Sequence, residues 1–236
     1  MALLALFVVL GAVGFWIVRL LLAYGAFGAP EHPQGDRPAA VAAARCASPD
    51  CPATVTLLGT SLLAHGAWRD ALEQRLDACR GGPVTLRVIV KPGASSDWGR
   101  TQMDGLFDSD AIIVDFAVND ASLWRGVTLE RSRENHLALI DAAEANGVAI
   151  FLATMNPAFA LKAAVRPGRP VYHDLYRELA DETGAGLIDD APRWAARDDA
   201  WLRAAIPDDL HPTNAAMTEI TLPSFARTLT PLICSS

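Results

Sequence analysis

The chain has 236 residues, which is enough for one catalytic domain and an additional segment. Charged residues make up 20% of it and the formal net charge is −7, so the sequence lacks the basic field that nucleic-acid binding requires. We interpret the acidic balance as a solvated surface.

Residues 1–24 are predicted to form a transmembrane helix. The first 18 residues carry no charged side chain, and apolar residues continue after Arg19 as far as Tyr24. About 20 apolar residues span the hydrocarbon core of a bilayer, and Arg19 lies near enough to the end for its guanidinium to reach the interface. A cleaved secretory signal is the alternative, with residues 26–28 as a small-x-small cleavage site, although such signals normally begin with Lys or Arg.

Two features of the sequence predict opposite sides of the membrane for the rest of the chain. Arg19, Arg37 and Arg45 lie at or beyond the C-terminal end of the span, which the positive-inside bias places in the cytoplasm. The cysteines favour an oxidising compartment, with a set of reduced thiols as the alternative. We give the cysteines more weight and predict a periplasmic or other extracytoplasmic location.

The cysteines also suggest a pairing, since four of them allow three combinations. Cys79 ends the first predicted helix of the domain and Cys234 ends the last, and in a doubly wound sheet these two helices can share a face. Cys46 and Cys51 bracket a short segment suited to a local bridge. We therefore predict the pairs Cys79–Cys234 and Cys46–Cys51.

Residues 25–52 are predicted to be a linker, because they contain five prolines and no regular apolar period. Residues 53–236 are the predicted catalytic domain, in which apolar strand candidates alternate with amphipathic helices. The strand candidates are Thr54–Leu58, Val84–Val90, Ala111–Phe116, Val148–Ala153 and Gly186–Ile188. The helix candidates are Leu62–Cys79, Leu129–Asn146, Val171–Thr183 and Asn214–Leu229.

Short, nearly all-apolar strands suit a parallel sheet that is covered on both faces. Their alternation with helices predicts an α/β fold, a three-layer sandwich with a central, mostly parallel five-stranded sheet and right-handed crossovers. Two long connections, Met155–Pro170 and Asp189–Pro212, are predicted to lack regular structure and to wall a substrate cleft.

Three polar residues are candidates for a nucleophile, a base and an orienting acid. Ser61 follows the first strand, and His211 stands three residues after Asp208 near the end of the chain. On a tight turn Asp208 can accept the Nδ1 proton of His211 and leave Nε2 facing the serine, whereas Asp209 is the competing acid. A structural interpretation stays open, because Ser61 and His211 both stand where helix caps are common.

Gly93 and Asn119 are candidates for oxyanion donors. Each directly follows a predicted strand, as Ser61 does, and the carboxyl ends of parallel strands meet at one edge of the sheet. The main-chain N–H groups of Ser61 and Gly93 and the side-chain amide of Asn119 are therefore expected to surround a developing oxyanion. A turn glycine and a turn pair Asn119-Asp120 are the alternatives, and we expect Asp120 to brace its loop.

These blocks, in this order, resemble the SGNH hydrolases of the GDSL esterase/lipase superfamily. The resemblance spans about Thr54 to Thr213, and its matching residues are Gly59-Thr60-Ser61, Gly93, Asn119-Asp120 and Asp208-x-x-His211. It implies a flavodoxin-like fold and the hydrolysis of acetyl or longer acyl esters on carbohydrate or lipid. Two residues depart from the family pattern. Thr60 replaces the usual Asp, which we expect to be tolerated, and Ala117 replaces the usual Gly, which we expect to narrow the cleft floor.

The expected function is that of a membrane-anchored serine esterase acting on O-acyl esters, with acetyl as the expected acyl group, of a carbohydrate or glycolipid. An O-acyltransferase with the same triad and a non-catalytic glycan-binding protein are the alternatives. We expect no cofactor and no metal, because the five histidines lack metal-ligand spacing and the nucleotide-binding glycine motifs are missing. The sequence makes no prediction about the oligomeric state.

Overall fold

A parallel sheet forms the middle layer of the domain. The computed structural model of the chain describes residues 2–28, 31–41, 50–64 and 66–234, and within these ranges it contains one sheet of five strands. The strands are β1 (Ala53–Gly59), β2 (Val84–Val90), β3 (Ala111–Asp115), β4 (Ala149–Thr154) and β5 (Gly186–Asp189). They lie in the order β2-β1-β3-β4-β5, and every neighbouring pair is parallel. The predicted strands are confirmed, each to within one residue at either end.

The sheet is covered on both faces because its inner strands carry apolar side chains on both sides. β3 and β4 are buried along their whole lengths. Along β1, Leu57 lies in the apolar core of one face and Leu58 in that of the other, and Ile113 and Ile112 alternate in the same way along β3. This burial on both faces is the reason why the strands are almost entirely apolar.

Helices form the two outer layers. The helices of the described residues are α1 (Ala2–Ala23), which is not packed on the sheet, and α2 (Trp68–Arg80), α3 (Ser96–Arg100), α4 (Ala117–Asp120), α5 (Leu129–Ala145), α6 (Ala160–Ala164), α7 (Arg169–Thr183), α8 (Ala191–Ala195), α9 (Asp199–Ala205), α10 (Asn214–Ala216) and α11 (Leu222–Ile233). On one face α2 packs on α11, with the rings of Trp68 and Phe225 edge to face and their centroids 5.7 Å apart. On the other face α5 and α7 meet at His136 and Tyr176, whose ring centroids are 4.7 Å apart. The predicted three-layer α/β sandwich is confirmed.

The predicted first helix of the domain, Leu62–Cys79, begins too early, because the observed helix α2 begins at Trp68. The structure has a 3₁₀ turn at Ser61–Leu63 and then a break before α2. Gly66 lies in this break with φ +116°, and a Cβ atom there would come within 2.7 Å of Asn214 Oδ1. The same Asn214 oxygen accepts the N–H of Trp68 at 2.9 Å, which begins α2 at that residue. A remote side chain therefore decides where the helix begins.

The two long connections contain helices, so the prediction that they lack regular structure is also wrong. α6 and the start of α7 lie within Met155–Pro170, and α8 and α9 lie within Asp189–Pro212. The prolines at the starts of α7 and α8 occupy the first helical turn, where the missing N–H costs nothing. Asp198 caps α9 by accepting the N–H of Trp201 at 2.8 Å.

The helix after His211 begins at Asn214, as predicted, but continues beyond the predicted end at Leu229. A π-helical segment at Met217–Thr221 joins α10 to α11, and α11 ends at Ile233. Thr221 and Ser224 donate hydrogen bonds to the buried carboxylate of Asp190 at 2.6 and 2.7 Å. This polar contact ties the last helix to the end of β5.

A disulfide joins the ends of α2 and α11. Cys79 and Cys234 are bonded across 155 sequence positions with their Cα atoms 5.5 Å apart, which confirms the predicted pair. Cys51 is also disulfide-bonded. Its predicted partner Cys46 lies outside the described residues, so the pair Cys46–Cys51 stays a prediction.

Removal of this bond is expected to lower the free energy of unfolding by about 4 kcal/mol, because the bond closes a loop of most of the domain in the unfolded chain. The variants Cys79→Ala, Cys234→Ala and the double variant should lose similar amounts, since either substitution already breaks the bond. Urea denaturation of the full chain in detergent micelles measures this loss. Unfolding midpoints equal to that of the wild type would contradict the expectation.

Part of the predicted linker is seated on the domain. Arg37 and Leu187 exchange backbone hydrogen bonds of 2.8 and 2.9 Å, so residue 37 forms an antiparallel bridge with β5. Glu31 contacts the buried side chains of His173 and Arg177. The carboxylate of Asp36 accepts hydrogen bonds from Arg193 at 2.7 and 3.0 Å. The described segment 31–41 therefore lies along the outer edge of the sheet.

The apolar helix α1 has the length and composition of a membrane span. Its segment Leu6–Ala23 has a mean hydropathy of 2.4, and none of it is buried against the rest of the protein. Tyr24, the residue after α1, contacts the domain: its hydroxyl donates to the carbonyl of Gly126 at 3.2 Å. Gly168 lies against the Tyr24 carbonyl so closely that a Cβ atom would not fit.

Candidate active site

Ser61 stands at the carboxyl end of β1, in a short turn that the sequence around it requires. Gly59 passes so close to β3 that a Cβ atom would lie 2.6 Å from the Asp115 carbonyl oxygen. Thr60 then caps the 3₁₀ turn, because its hydroxyl oxygen accepts the N–H of Leu62 at 3.3 Å. The capping role considered for Ser61 thus belongs to Thr60. The Ser61 Oγ atom does not take part in this cap. It lies 2.8 Å from His211 Nε2, 150 positions away in sequence.

His211 is oriented by Asp208. The Nδ1 atom of His211 lies 2.6 Å from Asp208 Oδ2, and the other carboxylate oxygen accepts the backbone N–H groups of Leu210 and His211. Partial burial alone would raise the pKa of Asp208, but the hydrogen bonds from the His211 side chain and from the two backbone N–H groups lower it to about 2. An ionised Asp208 places the proton on Nδ1 and leaves Nε2 able to accept the proton of Ser61.

The competing acid, Asp209, points away from the histidine. Its backbone adopts φ +68°, in the left-handed region. Its carboxylate accepts a hydrogen bond of 3.4 Å from Arg203. Two neighbouring carboxylates therefore have separate partners, and only Asp208 contacts His211.

Gly93 and Asn119 line the same pocket as Ser61 and His211. The pocket has a volume of about 530 Å³. Gly93 follows β2 with φ +75°, a conformation that favours glycine. The Asn119 amide nitrogen donates one hydrogen bond to the Ala94 carbonyl at 3.0 Å, which fixes the amide and leaves its second hydrogen for the pocket. In the described part of the chain, neither the Ser61 N–H nor the Gly93 N–H has a hydrogen-bond acceptor.

Asp120 braces the loops that carry these donors. It is fully buried, and its carboxylate accepts the N–H of Ser96 and the hydroxyl of Ser132, both at 2.7 Å. Burial raises its pKa to about 6, although the hydrogen bonds from Ser132 and Ser96 act in the opposite direction. Asp120 thus connects the segment after Gly93 to α4 and α5. Ala117, one turn earlier, lies in the apolar core and does not line the pocket, so the expectation that it narrows the cleft floor is wrong.

Several residues of the pocket wall were not predicted individually. Arg125 and Trp124 come from the connection after α4, while Leu161, Lys162 and Arg166 come from the connection after β4. The sequence did indicate that the segment 155–170 walls the cleft. Both connections follow strands at the reactive edge of the sheet, and this position is the signal that could have identified these side chains.

Asp115 lies directly beneath the serine turn and is fully buried. Its Oδ2 accepts the Thr60 hydroxyl at 3.0 Å, and among the described residues its Oδ1 has no hydrogen-bond partner. Burial raises the pKa of Asp115 to about 7; the Thr60 hydrogen bond opposes this rise and the charge of Asp120 adds to it. The native state therefore keeps a proton that the unfolded chain releases near its ordinary pKa of 3.8.

This raised pKa predicts a stability that falls with rising pH. The native state binds the proton of Asp115 more tightly than the unfolded chain does. The contribution of Asp115 to the free energy of unfolding is therefore fully present below about pH 4 and is lost as the pH rises to about 7. Between pH 5 and pH 7 the wild type should lose about 2 kcal/mol through this group, and Asp115→Asn should lose much less. Thermal unfolding of both proteins across this range measures the difference. Identical pH slopes would contradict the expectation.

The comparisons with known proteins concern the same part of the chain. Residues 38–218 match the model of the GDSL-like lipase/acylhydrolase family. No curated protein sequence matches the chain. Similar solved structures include a lipase/acylhydrolase from Enterococcus faecalis, with 20% identity, 75% of this chain and 95% of that chain covered, and a TM-score of 0.65. A catalytic mutant of an acetylxylan esterase from Geobacillus stearothermophilus has 15% identity, 77% and 94% coverage, and a TM-score of 0.59. The acetyl xylan esterase AlAXEase has 18% identity, 73% and 97% coverage, and a TM-score of 0.60. At these identities the structures share the fold.

Proposed function

Because the chain belongs to the GDSL-like lipase/acylhydrolase family, we propose that it hydrolyses its acyl ester with a triad of Ser61, His211 and Asp208. The observation that carries this proposal is the continuous hydrogen-bond chain through the histidine. Ser61 Oγ lies 2.8 Å from Nε2, and Asp208 Oδ2 lies 2.6 Å from Nδ1. This is the order of contacts that turns a serine into a nucleophile.

The reaction proceeds in two halves. The Ser61 oxygen attacks the acyl carbonyl carbon while His211 Nε2 takes the hydroxyl proton. When the tetrahedral intermediate collapses, the same proton passes to the leaving alcohol and an acyl-Ser61 ester remains. Water then attacks this ester while His211 takes a proton from it; the second intermediate collapses as His211 returns that proton to the Ser61 oxygen, and the carboxylic acid leaves. Asp208 stays ionised throughout and stabilises the imidazolium.

The oxyanion of both intermediates is held by three donors. These are the N–H groups of Ser61 and Gly93 and the second amide hydrogen of Asn119, and the assignment is supported by all three residues lining one pocket. Removing one donor of this kind has cost about 3 kcal/mol in another hydrolase. Since the Asn119 amide is already fixed by the Ala94 carbonyl, it needs no reorganisation during the reaction.

The proposed substrate is an O-acyl ester, with acetyl as the acyl group, of a carbohydrate or glycolipid. Two of the similar solved structures are acetylxylan esterases by name, which supports a small acyl group on a sugar. We further propose that α1 anchors the enzyme in a membrane with the catalytic domain outside the cytoplasm. The exposed apolar surface of α1 supports the anchor, and the Cys79–Cys234 disulfide supports the compartment.

A fluorophosphonate probe tests the nucleophile without knowledge of the natural substrate. The probe should label the full chain, and peptide mapping should place the adduct on Ser61. A chain that hydrolyses 4-nitrophenyl acetate but carries the adduct on another residue would refute the triad. For the anchor, alkaline extraction should leave the protein in the membrane fraction, whereas a mature N-terminus near Ala29 would indicate a cleaved signal instead.

A further inference from the structure

The wall of the active-site pocket is cationic, although ester hydrolysis as described does not require cations. Arg125, Lys162 and Arg166 line the pocket, and none of the described residues that line it is an Asp or a Glu. This is unexpected in a chain whose formal net charge is −7. A concentration of positive charge at the reactive site of an acidic protein points to an anionic ligand.

Arg166 is held in place entirely by neutral acceptors. Its guanidinium donates to the Val118 carbonyl at 2.7 Å, to the Lys162 carbonyl at 3.0 Å and to the Asn119 Oδ1 at 3.5 Å. Burial lowers the pKa of Arg166, and the charge of Arg125 lowers it further. The side chain is therefore fixed in position, while no carboxylate among the described residues balances its charge.

Many arginines elsewhere on the protein differ from Arg125 and Arg166 because they have a carboxylate partner. In the part of the chain that the structure describes, nine arginines elsewhere pair with carboxylates: Arg37, Arg131, Arg133, Arg169, Arg177, Arg193, Arg197, Arg203 and Arg227. Within the same ranges, Arg125, Lys162 and Arg166 have no carboxylate partner. Carboxylates are plentiful in this chain, so the pocket lacks them because of where the loops place these side chains.

The cations stand beside the groups proposed to hold the oxyanion. A Cβ atom on Gly93 would lie 3.0 Å from Arg125 Nη1, and Arg166 contacts the Asn119 side chain. An anion bound by these residues would therefore lie next to the ester bond that Ser61 attacks. The planar guanidinium groups can bind a phosphate or a carboxylate through paired hydrogen bonds.

We propose that Arg125, Lys162 and Arg166 form a subsite for an anionic group, a phosphate or a carboxylate, that the ester substrate carries close to its scissile bond. This proposal rests on the ester hydrolysis proposed above and narrows its substrate class. It makes the preferred substrate an acyl ester of an acidic sugar, a sugar phosphate or an anionic lipid.

Two sources of this group are consistent with the position of the subsite. The C-terminal end of α1 contacts Gly126 and Gly168, which are one residue from Arg125 and two residues from Arg166. At the same rim Trp124 and Leu161 are 71% and 64% exposed. Residues that contact the end of the apolar helix are thus close in sequence to those that line the pocket, which favours a lipid headgroup as one source of the anion. A soluble anionic ester is the other source.

A matched pair of soluble esters tests the subsite. 4-Acetoxybenzoate carries a carboxylate, and 4-acetoxybenzamide has the same shape without charge. We expect the wild type to hydrolyse the anionic ester with a kcat/KM about 10-fold higher, since charged hydrogen bonds are the stronger class. The double variant Arg125→Gln/Lys162→Gln should lose this preference, because its kcat/KM falls more on 4-acetoxybenzoate than on 4-acetoxybenzamide. Arg75→Gln removes a charge from the exposed side of α2. This variant should keep the wild-type preference and the wild-type kcat/KM on each ester.

Three results would overturn the proposal. The first is an equal kcat/KM of the wild type for the two esters. The second is an unchanged preference in the double variant. The third is an equal loss on both esters, because the cations would then act on the oxyanion instead of on a substrate group.

A binding measurement separates this proposal from the hydrolysis on which it rests. Inorganic phosphate should bind to Ser61→Ala in calorimetric titration, and adding Arg125→Gln and Lys162→Gln should weaken that binding about 10-fold. If the wild type shows no esterase activity while phosphate binding still depends on these residues, the hydrolysis is refuted and the anion subsite is retained. Phosphate binding that is unchanged by the Arg125→Gln and Lys162→Gln substitutions would refute the subsite and leave the proposed hydrolysis intact.

Vesicles distinguish the two sources of the anion. The full chain is reconstituted in phosphatidylcholine vesicles with and without phosphatidylglycerol, and hydrolysis of 4-acetoxybenzoate is measured. If lipid headgroups occupy the subsite, phosphatidylglycerol should inhibit the wild type more than the double variant, which controls for repulsion of the substrate by the charged surface. Equal inhibition of the two proteins assigns the subsite to a soluble ester. Either result supports the subsite and identifies its ligand.

Discussion

Replacement of Ser61 by alanine is expected to lower kcat for ester hydrolysis by a factor on the order of 10⁵, with little change in stability. The hydroxyl is the group that forms the acyl-enzyme, and no other hydroxyl is placed on His211 in the described part of the chain. The Ser61 side chain is small and accounts for no hydrogen bond of the fold apart from the one to His211. The loss should therefore appear in kcat and in fluorophosphonate labelling. The free energy of unfolding should stay within about 0.5 kcal/mol of the wild-type value.

The matched control for this variant is Ser95→Ala. Ser95 is the N-cap residue before α3, two residues after Gly93 and on the same edge of the sheet, but it does not line the pocket. Its replacement should leave kcat and labelling near the wild-type values. If Ser61→Ala and Ser95→Ala have similar activity, Ser61 is not the nucleophile.

Replacement of Asp208 by asparagine is expected to lower kcat by a factor of roughly 10³ to 10⁴. An amide NH₂ group beside His211 Nδ1 cannot accept its proton, so the imidazole adopts the tautomer that carries the proton on Nε2. That tautomer cannot take the proton of Ser61. The effect is expected in steady-state kinetics on 4-nitrophenyl acetate, and the chain should remain folded because Asp208 is half exposed.

Asp209→Asn is the matched control for the histidine partner. Asp209 is the next residue, carries the same side chain and bonds to Arg203 instead of His211. Its φ of +68° is tolerated by asparagine as well as by aspartate, so the substitution should not strain the turn. We expect a change in kcat of less than about 3-fold. A larger loss with Asp209→Asn than with Asp208→Asn would exchange the roles of the two acids.

The position of the reactive edge could be predicted from the sequence because it depends on local patterns. Short apolar runs such as Ala111–Asp115 are buried on both faces of a parallel sheet, and parallel strands all end at the same edge. Ser61, Gly93 and Asn119 each follow such a run, so their convergence follows from chain order alone. The same reasoning predicted the Cys79–Cys234 pair, because both helices that carry these cysteines cover one face.

The loops were harder to predict because their conformations depend on contacts between remote residues. Pro170 and Pro192 count as helix breakers in sequence, yet each stands in the first turn of a helix where proline is favourable. The start of α2 depends on Asn214, which is 146 positions away. No local pattern contains such a contact.

The sequence by itself determined the sheet, its reactive edge and the order of the candidate catalytic blocks, because apolar periodicity and strand ends are local properties. The sequence predicted Asp208 as the partner of His211, but only the tertiary structure showed that Asp209 bonds to Arg203 instead, that Thr60 and not Ser61 caps the first turn, and that uncompensated cations wall the pocket. The first two depend on backbone angles and hydrogen-bond directions. The third depends on which carboxylates the folded loops leave beyond the reach of Arg125 and Arg166, since Coulomb interactions are set by distances in space and not by positions in the chain.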